Sequence, residues 1–382
     1  MTKEDFKILS ARDHVRQRTG MYLGSVSLEK VDRFVLGKWR TTQYVPALLK
    51  MVDEIIDNSI DEAIRTGFKH ANEITVQTKK DRVVISDNGR GIPQDQVVDT
   101  ETGETILRPV AAWTRVRAGT SFDDERVTIG ANGVGSACVN FMSKLFVGET
   151  WQKKKLIKVI STNGAESTQM DDSLTRAGSG TRVEFRPDFS LLGVDSLEDG
   201  DHLELISDRL TGLQIAFPEI KFKLNGRLVA ATTLKKYAAL YTTEDASTVV
   251  VGRDSLSYFF AASTDGHRST TYVNGVHTRL GGAYNDFVVN SVVDEMMAMI
   301  KRKYKVEVGK STIKSGLTFV LFARGFKNPQ FDSQTKERLT NSQAQIREHY
   351  NAAGVPDANA IAKKIMACAD IIEPIVEAQV AK

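Results

Sequence analysis

Cysteine is nearly absent from this chain: Cys138 and Cys368 are the only two in 382 residues. Two are too few for a disulfide framework and fit a reducing cytosol. No stretch approaches the run of about 20 apolar residues that a membrane span needs. Nor does Met1-Thr-Lys-Glu-Asp-Phe6 contain the apolar core of a secretory signal. The expected setting is therefore cytoplasmic, with no membrane partner. The six histidines are scattered and never at H-x-x-x-H spacing, which argues against a transition-metal site. Net charge is only +3, so attraction to a polyanion has to come from local patches. Internal repeats and low-complexity tracts are missing too.

What the chain does have is an ordinary globular balance, 41% hydrophobic and 26% charged residues, over a length that favours two domains. The spacing predicts an amphipathic helix from Val45 to Ile64. Strand-like runs follow at Glu73–Thr78 and Arg82–Ser86, a hairpin through Lys79-Lys-Asp81. A Gly-, Thr- and Ser-rich segment, Gly119 to Gly135, leads into a helical pattern over Ala137–Leu145. Further strands are expected at Leu156–Ser161, Thr181–Pro187 and Ile220–Leu224, with a helix over Asp201–Gln214. A second α/β unit begins near Asp245, giving expected domains of 1–244 and 245–382. Its strands are Thr248–Gly252, Ser257–Ala262, Thr270–Gly275 and Leu317–Arg324. A long helix covers Ala283–Tyr304, and an alanine-rich helix runs from about Asp357 to the end. Mixed helices and strands in both halves argue α/β or α+β layers.

The most informative stretch is Lys50-Met-Val-Asp-Glu-Ile-Ile-Asp-Asn-Ser-Ile-Asp-Glu62. On a helix, Glu54, Asn58 and Asp61 fall at i, i+4 and i+7, one above another on one face. Val52, Ile55, Ile56, Ile60, Ala63 and Ile64 cover the other side and can anchor it. An acidic row alone is commonly a solvated face. Here it precedes Asp87-Asn-Gly-Arg-Gly-Ile-Pro93, at the end of an apolar strand. A carboxylate in that place needs a partner. An exocyclic amine of adenine would be one, with Gly89 and Gly91 clearing space, and Asn88 offers an oxygen to a magnesium ion or ribose. In Ile129-Gly-Ala-Asn-Gly-Val-Gly-Ser136, glycines before a helix let backbone N–H groups approach phosphates. That pattern has neither the lysine of a Walker loop nor dinucleotide-binding spacing.

Taken together, Glu54 with Asn58, the Asp87–Gly91 box, the Gly130–Gly135 loop and Gly178-Ser-Gly-Thr181 resemble the GHKL ATPases in order and spacing. Ala11-Arg-Asp-His-Val-Arg-Gln-Arg-Thr-Gly-Met-Tyr-Leu-Gly-Ser25 is similar to the N-terminal signature of type IIA topoisomerase ATPase subunits. Tyr272–Gly282 and Phe331–Leu339 are similar to their transducer region. The likeness covers nearly the whole chain and is greatest to the large subunits of T4-like phage topoisomerases, notably at Gly37-Lys-Trp39 and Tyr44-Val-Pro46.

This resemblance implies an α+β fold: a two-layer α/β sandwich of the GHKL (Bergerat) type, then a ribosomal S5 domain 2-like transducer. It implies ATP and Mg2+ as cofactors. Glu54 would be the general base, Asn58 the magnesium ligand, and Asp87 the adenine carboxylate, assisted by Thr181. Asn88, Gly91 and Ile92 belong to the same nucleotide-binding box. Gly130, Asn132, Gly133, Val134 and Gly135 would form the lid, with Thr120 and Ser121 at phosphate-contact positions. Gln334 and Lys336 would reach the γ-phosphate from the second domain. The implied partners are double-stranded DNA, a second copy joined on ATP binding, and separate DNA-cleavage subunits. Related enzymes cross to the partner with an N-terminal tyrosine, but no tyrosine precedes Arg12 here, leaving Phe6 or Ile8 to pack there. A MutL- or Hsp90-like clamp is the alternative; a histidine kinase core and a non-catalytic scaffold fit less well. Lys301-Arg-Lys-Tyr-Lys305 with Lys310 and Lys314 is either a duplex-DNA contact or a solvated helix end.

Overall fold

The computed structural model describes residues 8–100, 102–116, 134–333 and 335–380. The helix expected over Val45–Ile64 forms as Pro46–Arg65. Proline at its first position has a preset φ and no N–H to leave unsatisfied. Its apolar side, including Val52, Ile55, Ile56, Ile60 and Ala63, is buried in the larger core. That helix lies against an eight-stranded sheet in the order Arg227–Leu228, Lys221–Leu224, Glu73–Lys79, Arg82–Asp87, Gly180–Pro187, Ser143–Gln152, Lys155–Thr162, Ser167–Thr175. Neighbours run antiparallel except Lys221–Leu224, which is parallel to Glu73–Lys79. Helices Gly135–Phe141 and His202–Ala216 share the helical layer with Pro46–Arg65.

A five-stranded sheet follows, ordered Thr248–Gly252, Leu256–Ala262, Leu317–Ala323, Arg268–Val273, Val276–His277. Every residue of Leu317–Ala323 is buried, because this sheet is covered on both faces. Alternation of side chains divides them. Phe259, Val320 and Phe322 point to the core shared with the first sheet, whereas Tyr258, Phe260, Phe319 and Leu321 meet the helix Ala283–Tyr304. The two halves are thus joined by packed apolar surface, with the Tyr237 ring edge-on to Phe322 at 5.4 Å.

Two local expectations are corrected. The helical pattern over Ala137–Leu145 ends at Phe141, and Ser143 already begins a ten-residue strand. Pairing on both sides, with Gly180–Pro187 and Lys155–Thr162, overrides the local pattern there. The C-terminal helix is two, Ala358–Met366 and Ala369–Val380, and the break lets Ile371, Ile372 and Ile375 reach the second core. Sequence reading also missed the paired strands Glu29–Val35 and Lys38–Tyr44. Their charged residues hide the alternation that marks a strand. Among the described residues, no helix is long and apolar enough to cross a membrane.

Candidate functional site

The principal cavity among the described residues has a volume of about 1630 Å³ and lies between the Pro46–Arg65 helix and the end of the Arg82–Asp87 strand. Glu54, Asn58 and Asp61 all line it, as their spacing on one helical face requires. Lys336 joins them from nearly three hundred residues away in the chain.

Asp87 ends its strand with a buried side chain, and the antiparallel register sets Thr181 directly opposite. Its Oδ2 accepts from the Ser59 hydroxyl at 2.7 Å and from the Thr181 hydroxyl; Oδ1 accepts from the Gly89 N–H at 2.8 Å. Burial pushes this carboxyl above the ordinary range, against the pull of those three donors. Four residues after Asp87, in the loop that follows the strand, the backbone passes close to Trp151. Gly91 has φ +78°, and a Cβ there would lie 2.7 Å from the Trp151 carbonyl oxygen. Beside it the Ile92 N–H donates to Thr150 Oγ1 at 2.7 Å. Gly91→Ala is therefore expected to destabilise the fold by about 1–3 kcal/mol. A urea melt with the wild-type midpoint would contradict that expectation.

Glu54 sits in a ring of charge. Lys50, one helical turn earlier, places Nζ 2.8 Å from Glu54 Oε1. Burial alone would raise the Glu54 pKa, but Lys50 and Lys336 outweigh it and hold the carboxylate below its usual range. For Lys336, burial and the like charge of Lys50 lower the pKa, with Glu54, Asp57 and Asp61 opposing. The helix Gly135–Phe141 crosses closely here: a Cβ on Gly135 would come within 2.8 Å of the Glu54 carboxyl carbon. Its Ser136 hydroxyl accepts from Asn58 Nδ2 at 2.8 Å. The neighbouring Cys138 thiol is pushed up to about 12 by burial and by Glu54, so it stays protonated.

The structure brings Glu54, Asn58, Asp87, Gly91, Ile92, Val134, Gly135, Thr181 and Lys336 to one cavity. Asn88 stands apart from it: its side chain accepts from the Glu73 N–H at 3.0 Å and donates to Asn72 at 2.8 Å, tying down the start of a strand. Thr120, Ser121, Gly130, Asn132, Gly133 and Gln334, like Phe6, lie outside the described residues. Ile8 is 90% exposed. Ser59, Ser136, Thr150 and Lys50 were missed. Only Lys50 carried a local signal, its i−4 spacing from Glu54; the others are defined by which strand or helix packs next to them. In the basic segment, Lys301 pairs with Glu307 and Lys310 with Asp294, both at the surface.

The family model described as histidine kinase-, DNA gyrase B- and HSP90-like ATPase matches residues 44–191, and that of DNA gyrase B matches 228–381. The DNA topoisomerase large subunit of Enterobacteria phage T4 is 44% identical over 384 aligned residues, covering 100% of this chain and 72% of that protein. This chain belongs to the type II DNA topoisomerase family. It corresponds to the family's ATP-hydrolysing and transducer region. DNA topoisomerase 2-alpha of Homo sapiens is 27% identical over 369 residues, covering 90% of this chain but only 24% of that protein. The topoisomerase fold is matched over full length as well. The crystal structure of the ATPase region of Saccharomyces cerevisiae topoisomerase II has a TM-score of 0.84 at 22% identity, covering 97% of this chain and 98% of that one. The ATPase and transducer domains from Balamuthia mandrillaris give 0.85 at 24% identity, covering 100% and 99%.

Proposed function

We propose that this chain is the ATP-operated entry gate of a type II topoisomerase: ATP binding joins two copies, which capture a DNA duplex for strand passage. Cleavage of the other duplex resides outside the residues of this chain. The observation that carries this reading is the meeting of Glu54, Asn58 and Asp87 with Lys336 in one cavity. A lysine brought from the far half of the chain to the cavity that Glu54 lines can report whether the γ-phosphate is there.

Asp87 would accept from the adenine amino group, with Ser59 and Thr181 holding its carboxylate in place. Glu54 would take the proton of the attacking water. Its ion pair with Lys50 and its proximity to Lys336 make it a weak base before nucleotide arrives. A triphosphate draws positive charge toward itself, which frees Glu54 to act as a base. Lys336 would bind the γ-phosphate and stabilise charge that develops in the transferring group. One charge-assisted hydrogen bond of this kind contributes about 1.5–3 kcal/mol, enough to bias a hinge roughly ten- to a hundredfold.

Magnesium fits as a guest held mainly by ATP. Among the described residues no group of three His, Cys, Asp or Glu could cage a metal. Mg2+ commonly binds through one or two protein oxygens plus phosphates and water. Asn58, whose Nδ2 is already engaged by Ser136, has its carbonyl oxygen to offer. The ion would neutralise phosphate charge. We place the boundary between the ATPase and transducer portions at 244/245, next to the turn closed by the Ala246 N–H to Thr243 at 3.1 Å.

Solution mass tests the gate. A non-hydrolysable ATP analogue should double the mass at micromolar protein, and removal of the analogue should reverse it. A mass that stays monomeric at every practical concentration, with the analogue bound, would refute ATP-driven joining.

A further inference from the structure

The Pro46–Arg65 helix carries a second pair of carboxylates, facing away from the cavity. Asp53 and Asp57 both meet Arg209 of the His202–Ala216 helix: Arg209 Nη2 donates to Asp57 Oδ1 at 3.1 Å and Nε to Asp53 Oδ1 at 3.3 Å. Arg209 and Asp57 are buried, at 9% and 5% exposure. The remaining arm, Nη1, donates to the Gly275 carbonyl in the five-stranded sheet. Gly275 lies in the tight Asn274-Gly275 turn, φ +49° and +83°, that joins Arg268–Val273 to Val276–His277.

From that turn the connections lead back to the cavity. Just past Val276–His277, Arg279 pairs with Glu337 at 2.7 Å, and the Leu280 N–H donates to the Glu337 carbonyl at 2.9 Å. Glu337 is the residue after Lys336, which is itself held buried at φ +59°. A closed circuit results. It leaves the catalytic helix at Asp53 and Asp57, passes through Arg209, the Gly275 turn, Arg279 and Glu337, and returns to the same helix where Lys336 faces Glu54.

We propose that Arg209, seated on Asp57, is a positioning residue that sets the Lys336 loop relative to the catalytic helix. This rests on Lys336 being the γ-phosphate contact. A planar guanidinium satisfies three acceptors in fixed directions, which an ammonium on a flexible stem does not. Buried ion pairs add little net stability over apolar packing, and their best-attested use is to specify register. Here the register is that of the ATPase helix against the transducer sheet.

The experiment measures kcat and the affinity for a non-hydrolysable ATP analogue in Arg209→Lys, Lys336→Ala and the double variant. Asp57→Asn stands in for Arg209→Lys should the latter not fold. Arg209→Lys should lower kcat about three- to thirtyfold while analogue affinity changes less than twofold. The double variant should be no slower than Lys336→Ala alone, because the circuit acts only through that lysine. Wild-type kcat in Arg209→Lys, or a loss that multiplies with that of Lys336→Ala, overturns the proposal. Wild-type kcat in Lys336→Ala is a different failure: it removes the γ-phosphate contact itself.

Discussion

Glu54→Ala should abolish nearly all ATP turnover while nucleotide still binds. Removing a general base lowers rates by typically 10²–10⁴-fold, and kcat is expected to fall within that range. Affinity should survive, since Asp87 and its donors are untouched, and the loss of a negative charge beside Lys50 and Lys336 favours a triphosphate. Glu54→Gln separates shape from chemistry: it preserves packing against Gly135 but cannot take a proton. Both variants should therefore behave alike in kcat, and both should still join into dimers with ATP, trapped in that state. Turnover at the wild-type rate in either would remove Glu54 from the reaction.

Asp87→Ala should act on binding instead. The substitution leaves the adenine amino group, the Ser59 and Thr181 hydroxyls and the Gly89 N–H without their shared acceptor. Loss of one partner in a buried, charged hydrogen-bonded group costs about 2–5 kcal/mol, a weakening of roughly 30- to 4000-fold. Isothermal titration with the analogue reads it directly, and affinity within threefold of wild type would exclude Asp87 from adenine recognition. The pH dependence follows from the direction of the shift. Burial raises the Asp87 pKa, and binding requires the ionised form. Wild-type affinity should thus decline on acidification before the ordinary aspartate value of about 3.9 is reached. The Asp87→Ala variant should lack that component.

Much of the site was legible because its parts are local. Glu54, Asn58 and Asp61 share a face through helical periodicity alone, whereas the backbone of Trp151 that crowds Gly91 comes from a distant strand. Asn88, expected in the nucleotide-binding box, does not line the cavity. A polar residue after a strand can face either way, and here the start of the Glu73–Lys79 strand claims it. The helix assigned to Ala137–Leu145 was cut short at Phe141 because strand pairing on two sides outweighs propensity. Ser59 on Asp87, Thr150 on Ile92 and Arg209 on Asp57 left no trace in spacing. Each depends on which distant segment packs alongside.

From the amino-acid order alone came the resemblance to the family, the mixed α/β architecture and the stripe of Glu54, Asn58 and Asp61 on one helix. The architecture and the stripe follow from short-range periodicity and turn chemistry, the family from the resemblance of its ordered motifs. Only the folded chain decides that Thr181 stands across from Asp87, that Lys336 enters the cavity of Glu54, and that Arg209 ties the Pro46–Arg65 helix to the turn of the five-stranded sheet. Such meetings are fixed by burial and pairing between segments far apart in sequence, summed over the whole core, and no local pattern encodes that sum.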